Sequence, residues 1–272
     1  MSIDLDAYFR RIGYSGDRKP TLDTLRALHR LHPQAIAFEN LSPLLGHPVP
    51  LVADALHVKM VAGGRGGYCF EQNLLFASVL QELDFKLRIL TGWPRWGVAP
   101  ETPRPRTHLL LLIDIEGQEW IADVGFGGNT LTGPLLLRSR NEQVTPHEPA
   151  RISGHDGASL VQVKIGEEWR DLVAFDLGQQ SFAELEMGNW YTSTHPKSRF
   201  KNELFAARAE PDRRYGLLGN VLTVHRLKGA SERRRLASAS ELRDTLTDLI
   251  RIKLPADPSL DAMLARAAEA SS

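Results

Sequence analysis

The chain has 272 residues, 42% hydrophobic and 24% charged, a globular composition able to bury a core in one to three compact units, which excludes disorder as the default. Lysine plus arginine and aspartate plus glutamate number 33 each, a balance that gives no support for nucleic acid or an anionic membrane as the main partner. No stretch reaches the roughly 18 apolar residues of a membrane span, MSIDLDAYFRRIG is amphipathic rather than a signal sequence, and one cysteine rules out an intrachain disulfide and a thiolate zinc site. A soluble cytoplasmic protein without a metal, monomeric or homodimeric, is expected.

Taken in chain order, the first third reads as helical. Leu5, Tyr8, Phe9 and Ile12 fall at i, i+3, i+4 and i+7, and a second helix is expected from Thr21 until Pro33 stops it, burying Leu22, Leu25 and Leu28. A proline-rich connection, SPLLGHPVPL, leads to GGRGGYCFEQN and a helix from about Tyr68 to Leu83 with a broad apolar surface. From Lys86 the period changes to strands: KLRILTG, then the hairpin THLLLLIDIEGQEWIADVG turning at 116–117 or 117–118, then LVQVKIGEEWRDLVAF turning near Gly166–Glu167. These predict a small antiparallel barrel or sandwich from about 87 to 190. Beyond it, NVLTVHRL is a strand, Ser238 and Glu241 form a capping-box pattern before a helix carrying Leu242, Leu246, Leu249 and Ile250, and a last helix follows Pro258. The expected fold class is α+β, helical over 1–86, stranded over 87–190 and mixed over 191–272.

Cys69 is the only cysteine and follows glycines 63, 64, 66 and 67. A thiol with an ordinary pKa of about 8.5 is mostly un-ionised at neutral pH. A helix N-terminus favours the thiolate, and its unpaired N–H groups suit an acyl oxyanion. The glycines would let backbone donors approach that oxygen. On this stretch alone a nucleophile and a small buried thiol are both open.

A nucleophilic cysteine needs a base and an orienting group. His29 and His32 lack ligand spacing and read as surface or packing residues. His108 stands apart because it opens the otherwise apolar THLLLLIDI, where a buried ring needs a partner or a purpose. Strand parity tests its acid. Either two-residue loop places Asp123 on the face shared by residues 108, 110 and 112, and a three-residue loop reverses this. Taken alone, Asp123 also reads as a turn-capping aspartate before VGFGG. Together the residues divide the labour: Cys69 attacks an acyl carbon, His108 carries the proton, and Asp123 fixes the imidazole. Such a triad defines a nucleophile, not a substrate.

RGGYCFEQN resembles the active-site motif of the arylamine N-acetyltransferases, and IAFENLS, THLLLL, DVGFGG and SFAELEMGNWYTSTHPKSRF follow as family segments in family order. The resemblance implies an N-terminal helical bundle, a β-barrel and an α/β lid around a cysteine-protease-like Cys-His-Asp core. It implies acetyl-CoA as co-substrate and ping-pong transfer through Cys69 to an arylamine, arylhydrazine or N-hydroxyarylamine. Cys69, His108 and Asp123 occupy the family's catalytic positions. Phe38 and Phe126 match acceptor-pocket positions, where aromatic walls suit flat amines, with Thr107 and Thr130 beside them; core packing is the other reading of both phenylalanines. Arg104 and Arg106 of TPRPRT, with Gly127 and Gly128, match the CoA region, where guanidinium groups pair with phosphates, and Phe200 is a candidate for covering the CoA arm. Solvated loop arginines remain the alternative. Ala37 departs from the family's usual proline in IPFENL, and the absence of a long insertion is similar to the compact bacterial type. A same-fold amide synthase with another acyl donor, or a catalytically silent binding protein, are the competing readings.

Overall fold

The computed structural model describes residues 3–99, 101–155 and 157–270. The N-terminal part holds α1 (Leu5–Ile12), α2 (Leu22–Ala35), the short strand β1 (Phe38–Glu39), α3 (Leu41–Leu44), α4 (Ala53–Leu56), which runs on as a wide turn over His57–Ala62, and α5 (Cys69–Glu82). Asp4 and Thr21 cap α1 and α2 by accepting from backbone amides three residues on. Pro33 does not stop α2 as expected. It sits in the last turn, where its missing N–H costs one bond, and Ile36 N–H still donates to the His32 carbonyl at 2.8 Å.

The central sheet comprises β2 (Lys86–Pro94), β3 (His108–Ile115), β4 (Gln118–Ala122), β5 (Leu135–Leu136), β6 (Ala150–His155), β7 (Ala158–Ile165) and β8 (Glu168–Phe175). Its order β5-β4-β3-β2-β8-β7-β6, antiparallel throughout, makes a nearly closed barrel. Gln143 spans the remaining gap: its backbone pairs with Ala150, and its side-chain amide exchanges hydrogen bonds with the Leu136 backbone.

The hairpin β3–β4 turns at Glu116–Gly117, with Leu111 opposite Ala122 and Ile115 opposite Gln118. Both turn residues take positive φ, 54° and 77°, the geometry that matches the twist of the flanking strands. The second hairpin turns at Gly166–Glu167 as expected, with Ile165 opposite Glu168. The near-continuous burial of β3 follows from its position. Leu109, Leu111 and Ile113 pack outward into the cluster formed with α5, while Leu110 and Leu112 fill the barrel interior.

The chain then forms α6 (Phe182–Thr194), α7 (Arg199–Asn202), β9 (Phe205–Glu210), β10 (Arg213–Leu218), β11 (Val221–Arg226), β12 (Glu232–Arg235), α8 (Ala239–Asp244), which continues as a wide turn to Leu249, and α9 (Leu260–Glu269). Ser238 caps α8 by accepting from Glu241 N–H at 3.2 Å, but the Glu241 carboxylate accepts from Ala237 rather than from Ser238, so the reciprocal half of the expected box is displaced by one residue. A second sheet runs β1-β9-β10-β11-β12, so a strand from the helical part is its edge. Leu242, Leu246 and Ile250 pack beneath this sheet with Leu260 and Leu264 of α9. The helices, the barrel and the second sheet together give the expected α+β fold.

Candidate active site

Cys69 is the first residue of α5 and Tyr68 precedes it as N-cap, with Tyr68 N–H held by the Glu71 carboxylate at 3.1 Å. The first-turn amides of α5 have no intrahelical acceptor, so the thiol sits at the positive end of a 14-residue helix. Its Sγ lies 3.4 Å from the Thr107 carbonyl, one residue before His108.

His108 and Asp123 meet at 2.6 Å, Nε2 to Oδ2, with both side chains buried. An ionised carboxylate only accepts, so Nε2 carries the proton and the other ring nitrogen is left for Cys69, whose charge also favours the protonated imidazole. Burial opposes a charged ring, but the charge and hydrogen bond of Asp123, with a further contribution from Cys69, push His108 from 6.5 up to about 10. Burial likewise works to raise Asp123. The charge and hydrogen bond of His108, with bonds from Asn73 and Gly125, hold it below the usual carboxylate value instead.

Asp123 lies one residue beyond β4, where its backbone has left the ladder, and four other residues hold it. Oδ1 accepts from Asn73 Nδ2 at 3.0 Å and from Gly125 N–H at 2.9 Å, and the carbonyl accepts from Thr130 Oγ1 at 3.3 Å. Its N–H donates to His29 Nε2 at 3.1 Å. Asn73 also donates to the Leu109 carbonyl at 2.7 Å and accepts from Val124 N–H at 3.0 Å, tying α5 to β3 and to the segment that follows β4. Gly125 completes the approach, because a Cβ there would lie 3.0 Å from Cys69 Cα.

The glycines before Cys69 act differently from the expectation that they bring donors to an acyl oxygen. Gly63 and Gly67 donate to the Val58 and Ala37 carbonyls, and a Cβ on Gly66 would come within 2.0 Å of the Ala37 oxygen. They let this segment cross β1 at close range, where Phe38 and Gly67 form a parallel bridge. Gln72 braces the crossing by donating to the Ala37 carbonyl at 2.7 Å.

A cavity of about 450 Å³ opens over Cys69 and His108. Phe38, Thr107, Phe126, Gly127, Gly128, Arg104 and Phe200 all line it. Two other candidates stand outside the lining. Thr130 is buried and holds the turn, accepting from Phe126 N–H at 3.2 Å while donating to Asp123. Arg106 pairs with Asp176 and lies over the Trp93 ring at 4.1 Å. Ala37 is buried and is not a lining residue. The cavity also takes in Trp96, outside the family segments, and Tyr191, Lys197 and Arg199 of the SFAELEMGNWYTSTHPKSRF segment, which sequence patterning does not single out as site residues; the lysine and arginine charges are positive, as is that of Arg104. A larger recess of about 600 Å³ behind α2 contains neither cysteine nor histidine.

Sequence patterning also passed over His29 and Asn73. His29 reads as a surface or packing residue on α2, yet it is wholly buried against the backbone of Asp123. Among the described residues no helix is long and apolar enough to cross a membrane.

Known proteins share this architecture. The family model described as N-acetyltransferase matches residues 21–258. An arylamine N-acetyltransferase of Mycolicibacterium smegmatis is 42% identical over 258 residues, 93% of this chain and 94% of the relative. The solved arylamine N-acetyltransferase from Mycobacterium tuberculosis superimposes with a TM-score of 0.93 at 40% identity, covering 96% of this chain and 100% of that one. The Mycobacterium marinum arylamine N-acetyltransferase solved in complex with CoA gives 0.93 at 39% identity, covering 97% and 99%. Sequence and structural likeness both run almost the full length of the chain, which therefore belongs to the arylamine N-acetyltransferase family of acyltransferases.

Proposed function

We propose that this enzyme moves an acetyl group from acetyl-CoA to an arylamine, arylhydrazine or N-hydroxyarylamine by a ping-pong mechanism through acetylated Cys69. The observation that carries this is a thiol at a helix N-terminus, next to an imidazole fixed by a carboxylate, under a cavity with aromatic walls and only cationic charges.

The Cys69 thiolate attacks the thioester carbonyl carbon, and first-turn amides of α5 stabilise the oxyanion. Collapse breaks the carbon–sulfur bond to CoA, whose sulfur takes the proton from the His108 imidazolium. The amine nitrogen then attacks the acetylated thiol, His108 accepts the amine proton, and the thiolate is released. Asp123 keeps the ring oriented and stabilises its positive form throughout.

Phe38, Phe126 and Thr107 form the acceptor end, with Thr130 holding Phe126 through its backbone. The CoA end is lined by Arg104, Gly127, Gly128 and Phe200, joined by Lys197 and Arg199; the phosphates pair with the cations. The M. marinum relative's complex with CoA supports this choice of donor. Arg106, engaged by Asp176, orients the loop that carries Arg104 and Thr107. The helical part brings the nucleophile, the barrel brings base and acid, and the C-terminal part closes over the cavity. Initial rates at several concentrations of acetyl-CoA and an aromatic hydrazine should give parallel double-reciprocal lines. Intersecting lines would mean that both substrates bind before transfer and would defeat the covalent route.

A further inference from the structure

We propose that His29 is a positioning residue of the triad: its neutral imidazole accepts the Asp123 backbone N–H and sets where the carboxylate meets His108. The inference rests on the Cys69–His108–Asp123 reading and extends it by one layer.

β4 ends at Ala122, which pairs with Leu111, so Asp123 N–H has no strand acceptor. Buried and unpaired, that donor would be costly. His29 Nε2 meets it at 3.1 Å from a position 94 residues earlier in the chain. A ring nitrogen that accepts from an N–H is unprotonated, so the proton of neutral His29 is on Nδ1. Nδ1 is buried and has no hydrogen-bond partner among the described residues, and the ring is fully buried with Phe76 edge-on at 5.9 Å. A histidine retained for packing alone gains nothing from an orphaned donor. Its useful contact is the acceptor atom.

Asp123 thus stands between two imidazoles in opposite states. Its carboxylate keeps His108 charged, while its N–H requires His29 to be neutral. Burial lowers His29 from 6.5 to about 4, with the Asp123 charge opposing that shift. The titratable groups that act on the ring are Asp123 and, on its own helix, His32. Protonating His29 would place a donor against a donor and release the Asp123 backbone.

Two substitutions separate positioning from packing. His29→Leu fills the space but offers no acceptor; His29→Gln restores an acceptor oxygen near Nε2. Three readouts apply to each folded variant: the rate at which Cys69 gains an acetyl group from acetyl-CoA, the pH dependence of Cys69 alkylation by iodoacetamide, and the thermal midpoint. The expected result for His29→Leu is acetylation slower on the order of tenfold to a hundredfold, with the alkylation profile displaced from wild type, and recovery of both in His29→Gln. A folded His29→Leu protein with wild-type acetylation and profile overturns the proposal, as does a lowered midpoint with both rates unchanged. If His29→Leu does not fold, nitrogen NMR of wild-type His29 decides, because a proton on Nε2 contradicts the inference and a proton on Nδ1 upholds it. Failure of the wild-type protein itself to become acetylated would instead strike the function proposed above.

Discussion

At the floor of the cavity every polar position of Asp123 has a fixed protein partner, and the side chains of His108 and Asp123 are buried. At its mouth the side chains of Arg104 and Lys197 have no ion pair or hydrogen bond among the described residues, and Trp96 is 42% exposed. The floor is preorganised for one chemical step, since groups that do not move cost no reorganisation as charge develops. The mouth is open, aromatic and cationic. On the proposed function, chemistry belongs to the fully hydrogen-bonded floor and specificity to the more exposed mouth.

Changes at the floor should have the largest effects. Cys69→Ala should abolish acetyl transfer, and His108→Ala should reduce it by roughly 10² to 10⁴-fold. Asp123→Asn tests orientation within the same geometry. It leaves the side-chain shape but removes the charge that raises His108, and turnover at neutral pH should fall by on the order of 10³ to 10⁴-fold. A change of less than tenfold would show that the ring is held by other means.

The acid side of the stability curve should also report the floor. His29 and His32 are held neutral by burial, lowered from 6.5 to about 4 and about 3, so the unfolded chain binds protons that the folded one refuses. Stability should therefore decline as pH falls below about 6.5, by about 1.4 kcal/mol per pH unit for each ring. His108 behaves oppositely: its contribution is full below about 6.5 and is lost as pH rises through about 10. Urea unfolding from pH 7 to 4 should show a slope smaller by about one proton in His29→Gln than in wild type.

Gly66→Ala places a methyl within 2.0 Å of the Ala37 carbonyl and should cost about 1–3 kcal/mol of stability by denaturant melts. The mouth should respond least. Arg104→Ala and Lys197→Ala should each raise KM for acetyl-CoA about two- to fivefold, less so at high salt, with little change in kcat.

How far the sequence revealed this division depended on the range of each interaction. Cys69 was legible as the start of an apolar helix, and His108 with Asp123 followed from hairpin parity, both local patterns. His29 and Asn73 reach Asp123 across 94 and 50 residues, and nothing in α2 or α5 periodicity marks such a contact. Arg106 reads in sequence as a CoA phosphate ligand because its partner, Asp176, lies 70 residues away. β1 is two residues long and is defined by its partners Ala206 and Ala207, so no period existed to detect. Pro33 misled because a proline in a last helical turn removes only one bond.

The central claim is that Cys69 carries the acetyl group. Incubating the protein with acetyl-CoA and no acceptor, followed by intact-mass and peptide analysis, should show one added acetyl mass per chain on the peptide containing Cys69, discharged when an arylamine is added. A folded protein that gains no mass, or gains it on another residue, would contradict the account.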